Sequence, residues 1–212
     1  MDSREAILER VRAGLGRKLG QKPLPPPEPL LRIDTLGASG RLELFRRKLM
    51  GTLTVAADAA VAGRAVADLL NGREAVASGH PFLERCGIRS MARVFTDPAE
   101  LRNACATAGV GITSAYCLLA ETGTIVLRAT PEEPRLPSLL PPVHIAVVPE
   151  ERLLTNLDEM LSMTPRPVDD ASAMVLISGP SRTGDIEQFL VRGVHGPGEI
   201  HVVIVQGKHR DS

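Results

Sequence analysis

The chain has 212 residues, 43% of them hydrophobic, enough apolar material for one core without disulfide or metal staples. Lys+Arg and Asp+Glu stand at 25 each, and a net charge of zero argues against a sequence-independent nucleic-acid binder or a module for anionic membranes. Aromatic residues make up only 2%, too few for base-stacking platforms or an aromatic cage.

Between Asp2 and Leu19, the residues Ile7, Leu8, Val11 and Leu15 recur at helical spacing, with charged residues on the other face. This predicts an N-terminal helical arm over residues 1–22. The run Pro23-Leu24-Pro25-Pro26-Pro27-Glu28-Pro29 cannot continue a helix and predicts a stiff, extended spacer over 23–39. The main domain then occupies 40–212. Three destinations stay open to the arm: its own domain, a second copy of the chain, or a partner.

Inside the main domain short apolar runs alternate with helical stretches. Arg41–Met50 reads as a helix, Leu53–Ala56 as a strand, and Asp58–Leu70 as a helix stopped by Asn71-Gly72. Ala75–Ala77 and Arg93–Phe95 read as strands. Asp97 as N-cap, Pro98 at the first position and Glu100 at the third predict the start of another helix. Strands follow at 115–120, 124–127 and 143–148, then a helix near 156–163 and a strand at 174–177. A helix over 184–191 and a strand over 200–205 complete the pattern. Alternation of this kind indicates an α/β domain with a mostly parallel sheet.

Cys86, Cys105 and Cys117 are odd in number and widely spaced, without a C-x-x-C pair. This predicts a reducing, cytoplasmic compartment, no metal site, and no complete iron–sulfur site in this chain. The charged opening Met1-Asp2-Ser3-Arg4-Glu5 leads into no apolar core, which predicts no secretory leader. No uncharged apolar run approaches the length of a membrane span.

Three segments carry candidate chemistry. In Ser178-Gly179-Pro180-Ser181-Arg182-Thr183-Gly184-Asp185-Ile186-Glu187 an apolar strand runs into a predicted helix, a common position for anion binding in open α/β sheets. Gly179 and Gly184 have the spacing of a phosphate-binding loop. Asp185 and Ile186 then stand where Lys and Ser/Thr are needed, so a nucleotide is excluded. A small anion held by Ser181, Arg182 and Thr183 stays open beside a purely structural strand–helix turn. In Ala120-Glu121-Thr122-Gly123-Thr124 a single carboxylate lies between apolar runs. Glu121 is either a proton-transferring or nucleophilic group, or part of a solvated turn whose backbone angle Gly123 supplies. In Gly193-Val194-His195-Gly196-Pro197-Gly198-Glu199, His195 sits in a glycine-rich loop suited to donate to an anion or move a proton. Cys117, in an apolar run, reads as core.

Taken in chain order, Gly111-Ile112-Thr113 leading into Ala120-Glu121-Thr122-Gly123-Thr124-Ile125-Val126-Leu127, then the segment from Ser178 to Glu187, then that from Gly193 to Glu199, these stretches resemble the lactate-utilisation C family of LUD-domain proteins. The resemblance implies a three-layer α/β/α sandwich. That fold is similar to the group containing glucosamine-phosphate isomerase, ribose-phosphate isomerase and CoA-transferases. It implies a non-redox component of a cytoplasmic system oxidising L-lactate to pyruvate, with iron–sulfur lactate-oxidation proteins as partners. Iron–sulfur clusters or flavin then belong to those partners, and this chain carries no cofactor. The site expected is a pocket for a small carboxylate or anion. Thr122, Gly123, Thr124, Ser181, Arg182 and Thr183 would bind it, with Glu121 and His195 as catalytic groups. Two alternatives stand beside this one. One is an enzyme of CoA-transferase or sugar-phosphate type using Glu121, by analogy of fold. The other is a pure assembly subunit, with room for a homo-oligomer.

Overall fold

A computed structural model describes residues 3–14, 16, 36–163, 171–184, 190–192 and 196–207. The chain divides into two compact units, Met1–Arg32 and Ile33–Ser212. In the first, α1 (Ser3–Gly14) is the amphipathic helix expected of the arm, with Ile7 and Val11 exposed one turn apart. Most of the predicted proline spacer lies outside the described residues.

The second unit is the α/β domain expected. Its main sheet contains β1 (Thr52–Ala56), β2 (Ala75–Ala77), β3 (Val110–Thr113), β6 (Val143–Pro149) and β11 (Glu199–Val205). They lie in the order β1-β11-β6-β3-β2, and every pair is parallel. A parallel sheet needs both faces covered, and its strands are accordingly apolar at nearly every position. Val143, Ile145, Val147, Val203 and Val205 point to one face, against Ala62, Val66 and Leu70 of α3 (Ala59–Leu70) and Phe82 and Leu83 of α4 (Pro81–Arg85). Ala146, Val148, Val202 and Ile204 point to the other, where Phe45 of α2 (Ala38–Lys48) meets them. Val76, opposite in direction to Ala75 and Ala77, packs on Leu101, Ala104 and Cys105 of α5 (Pro98–Thr107). Helices therefore flank the sheet on both sides. Each fully buried Val, Leu or Ile contributes about 1.5–3 kcal/mol.

A second sheet shares the α2 face. β4 (Cys117–Leu119), β5 (Thr124–Arg128), β7 (Leu153–Leu154) and β8 (Met174–Ile177) form it in the order β7-β4-β5-β8. Leu118, Ile125 and Leu127 of these strands join the core with Phe45. Arg41 ties α2 to this layer. Its guanidinium pairs with Glu159 of α6 (Leu157–Met163) at 2.9 Å and donates to the Leu153 carbonyl at 3.0 Å.

Asp97 caps α5 as predicted, accepting from the N–H groups of Ala99 and Glu100, and at the start of α3 Asp58 accepts from the Val61 N–H. Two expected elements are different. Arg93–Phe95 is not a strand: Arg93 makes one parallel bridge to Val76, and the pairing stops there. Of the predicted helix at 184–191, the described residues Gly184, Leu190 and Val191 are strand, in the antiparallel pair β9 (Arg182–Gly184) and β10 (Leu190–Arg192), and 185–189 lie outside the described residues.

Candidate functional site at the carboxyl edge of the sheet

Where parallel strands end, their next residues fan out into loops, and open α/β sheets bind ligands there. β2 leads into Ser78, Gly79 and His80. β3 leads into Ser114, Ala115 and Tyr116, while β5 ends at Arg128 and β6 at Pro149. These loops surround a cavity of about 280 Å³, lined by His80, Ser114, Tyr116, Arg128, Thr130, Glu132, Glu133 and Arg152 among others.

Local geometry fixes several of these groups. Pro81 opens α4, and the His80 Nδ1 accepts from the Phe82 N–H at 3.2 Å. Acceptance at Nδ1 places the proton of the neutral imidazole on Nε2. The Arg128 guanidinium lies 4.1 Å from the centre of the Tyr116 ring, a stacking that orients it.

Glu133 is turned inward by a tight loop. Its N–H donates to Thr130 Oγ1 at 3.1 Å, and its carbonyl accepts from the Thr130 N–H at 3.3 Å. The side chain is 6% exposed, and Oε2 accepts from the Ser114 N–H at 3.3 Å. Burial pushes its pKa up to about 7, and the nearby Ser78 hydroxyl and the Ser114 N–H oppose only part of that rise. The Ser78 hydroxyl faces the carboxyl without completing a hydrogen bond. Glu133 Oε1, Ser78 Oγ and Ser114 Oγ are all buried and have no hydrogen-bond partner. Unsatisfied buried polar atoms are costly, and two of the three belong to residues that line the cavity, Glu133 and Ser114.

The residues singled out in the sequence lie at the opposite edge. Gly123 turns the chain between β4 and β5 at φ 65°, and a Cβ there would stand 2.5 Å from the Lys48 carbonyl carbon. Lys48 ends α2, three residues short of the start of β1, so this turn sits at the amino edge of the sheet. The Thr122 hydroxyl bonds to that of Thr124 at 2.7 Å, and Thr124 to Ser178 at 2.7 Å. The Ser181 N–H donates to the Pro197 carbonyl at 2.8 Å, and the Gly198 N–H to that of Pro142 at 2.9 Å. Thus the three sequence segments do converge. Glu121 is half-buried there, its N–H donating to the Thr155 carbonyl at 2.9 Å. Arg182 and Thr183 enter as backbone of β9. Asp185, Glu187 and His195 lie outside the described residues. The seven residues of β6 separate the two edges by roughly 20 Å.

Glu133 was missed because Pro131-Glu132-Glu133-Pro134 reads as a solvated loop. The available signal was its position, a carboxylate closely following a strand that ends in Arg128. His144 was missed as well. It is fully buried in β6, its Nε2 2.8 Å from Thr113 Oγ1, and burial lowers its pKa to about 3, so it is neutral. The three cysteines are buried, and burial raises their thiols to about 11, 11 and 12, which makes them core residues. Among the described residues no three His, Cys, Asp or Glu side chains gather as a metal site. No described helix is long and apolar enough to cross a membrane.

Fold and cavity together define an α/β domain with a polar cavity at the carboxyl edge of a parallel sheet. A model of the LUD domain matches residues 50–205, and the chain belongs to the LUD-domain family. Lactate utilization protein C of Bacillus licheniformis is 33% identical over 105 residues, covering 48% of this chain and 44% of that protein. Lactate utilization protein C of Macrococcus caseolyticus is 38% identical over 105 residues, covering 48% and 46%. An uncharacterized protein of Neisseria meningitidis is 36% identical over 104 residues, covering 47% and 43%. The matched stretch thus spans under half the length of each of these relatives. The crystal structure of a DUF162 family protein from Deinococcus radiodurans superposes with a TM-score of 0.63 at 22% identity. That match covers 80% of this chain and 99% of that one, and the likeness is one of fold.

Proposed function

We propose that this chain serves lactate utilisation, as a non-redox component that binds a small carboxylate in the carboxyl-edge cavity. The relatives' names supply the process. One observation carries the ligand class: Arg128, Arg152 and His80 share a cavity of about 280 Å³ with the unsatisfied Glu133 and Ser114. A guanidinium pairs a carboxylate through two parallel N–H donors, and a hydroxyl on the adjacent carbon suits the serine oxygens. In this reading the system oxidises L-lactate in the cytoplasm. Iron–sulfur proteins are its partners, and clusters or flavin reside in them.

The test is calorimetric titration of the whole protein with L-lactate and with pyruvate. Arg128→Gln and Arg152→Gln should each weaken binding about tenfold or more, since a charge-assisted hydrogen bond contributes about 1.5–3 kcal/mol. Unchanged affinity in both variants rejects the cavity as the site.

A second reading places the ligand at the amino edge. The chain of hydroxyls from Thr122 through Thr124 to Ser178 favours it, because it joins two of the three segments. There Glu121 and His195 would be the catalytic groups, and Gly123, Ser181, Arg182 and Thr183 would help hold the ligand. Glu121→Gln separates the two readings. Added back to a lysate of a strain lacking this chain, it restores lactate-dependent dye reduction if the carboxyl-edge reading holds, and fails if Glu121 is essential. Deleting the residues before Pro29 tests assembly through the arm.

A further inference from the structure

The carboxyl-edge cavity holds a negative group of its own in the place where a carboxylate is to bind. Glu132 and Glu133 face it from the 130–133 turn. The other titratable groups around Glu133 are His80 after β2, Tyr116 after β3, Arg128 at the end of β5 and Arg152 after β6. Arg89 approaches Gly79 from the 3-10 turn Ile88–Ser90, where it pairs with Glu84 at 3.5 Å. Two of the cavity's three cationic or potentially cationic side chains are arginines, which stay charged.

The two oxygens of Glu133 differ. Oε2 accepts a backbone N–H from Ser114, whereas Oε1 is buried without a partner, beside two hydroxyls in the same condition. An ionised Oε1 beside a second carboxylate in this partly enclosed cavity is repulsive, and no cation is bonded to it to offset this. A protonated Oε1 is instead a donor, and a ligand carboxylate is the acceptor that completes it. We infer that the cavity takes its carboxylate together with one proton, held on Glu133 Oε1 and donated as a hydrogen bond to the ligand. Glu133 is then the residue that makes the site selective for an acceptor anion and links its occupancy to pH. This rests on the reading of the cavity as a carboxylate site.

No covalent step is involved. One proton leaves solvent, one O–H bond forms on Glu133, and the ligand enters as its monoanion. The burial that holds the empty carboxyl near neutrality makes the exchange accessible at physiological pH.

The experiment is calorimetric titration of the whole protein with pyruvate between pH 5.5 and 8.5, in two buffers of different ionisation enthalpy. Above pH 7 the dissociation constant should rise about tenfold per pH unit, with close to one proton taken up per pyruvate at pH 8. Glu133→Gln keeps a donor at that position, so it should bind pyruvate with a flat pH profile and no uptake. His80→Asn keeps an acceptor for the start of α4. It should weaken binding yet leave the proton uptake in place, and loss of uptake there would put the proton on the imidazole and overturn the inference. Wild-type binding that is independent of pH and of buffer overturns it while leaving the carboxylate site intact. The absence of any heat with pyruvate at every pH rejects both.

Discussion

Gly111 should be among the least replaceable residues in the chain. It sits at the centre of β3, between Val76 and His144 on neighbouring strands, and the 3-10 turn Leu136–Ser138 crosses directly over it. A Cβ on Gly111 would lie 1.7 Å from the Pro137 carbonyl oxygen, 2.7 Å from its carbon and 3.0 Å from Pro141 Cγ. Ordinary carbon–oxygen contact is about 3.3 Å, so roughly 1.5 Å of movement is needed. Little can move. Pro137 and Ser138 are buried, and the Ser138 N–H and hydroxyl both bond the Arg135 carbonyl, at 3.1 and 2.8 Å. Overpacking a core costs about 1–3 kcal/mol where side chains can shift. Here the opposing atoms are backbone, and Gly111→Ala should lose about 3 kcal/mol or more. Urea unfolding followed by far-UV circular dichroism measures this. Gly109→Ala is the control: its Cβ would meet only the flexible Arg73 side chain, at 3.4 Å. If the two variants unfold at the same urea concentration, the argument from close approach is wrong. Glu133 lies just upstream of the same turn, so the Gly111 variant should also lose ligand affinity.

Glu133 makes stability depend on pH. Its carboxyl ionises near 4.5 when unfolded and near 7 when folded, so its contribution is complete below pH 4.5 and is lost as pH rises through 7. Between pH 5 and 8 the wild type should lose about 2.5 kcal/mol more than Glu133→Gln in urea titrations, and equal losses would contradict the burial argument. Thr113→Val keeps the shape of the side chain but leaves the buried His144 Nε2 without its partner. A loss of about 1–3 kcal/mol is expected, and a neutral result would mean that water replaces the hydroxyl. Asp97→Ala removes the acceptor for two N–H groups of α5. It should lower stability by about 1 kcal/mol, with Asp97→Asn close to wild type in the same thermal melts.

What could be read directly from residue order was local. The start of α5 was legible because Asp97, Pro98 and Glu100 act within four residues of one another. β6 and β11 were legible because strands buried on both faces must be apolar throughout. Gly184, Leu190 and Val191 were not, since their pairing depends on which strand lies alongside. Arg93–Phe95 has strand-forming residues, but its neighbour β2 is three residues long and offers one bridge. The second sheet was hidden for the same reason: β5 is joined by β8, some fifty positions away. At the candidate site, Glu133 is a surface-type residue in a proline-bracketed loop. Only the approach of Ser78 and Ser114, from two other strands, makes it a buried acid. The segments containing Glu121 and Ser181 were recognisable as motifs, yet that says nothing about which edge of the sheet they occupy.

The position of β11 bears on how the protein is made. It comes after every other described strand, yet it lies between β1 and β6, bonded to both along its length. A nascent chain emerging from the ribosome therefore has β1 apart from the rest of its sheet until residues beyond 199 are available. Until then Leu53, Val55 and the inner faces of α2 and α3 have no central strand to pack against. Pairings of such long sequence separation form slowly and leave apolar edges uncovered in the interval. Translation that pauses before this strand, or stops short of it, would release a chain with its two flanking layers made and the middle of its sheet missing.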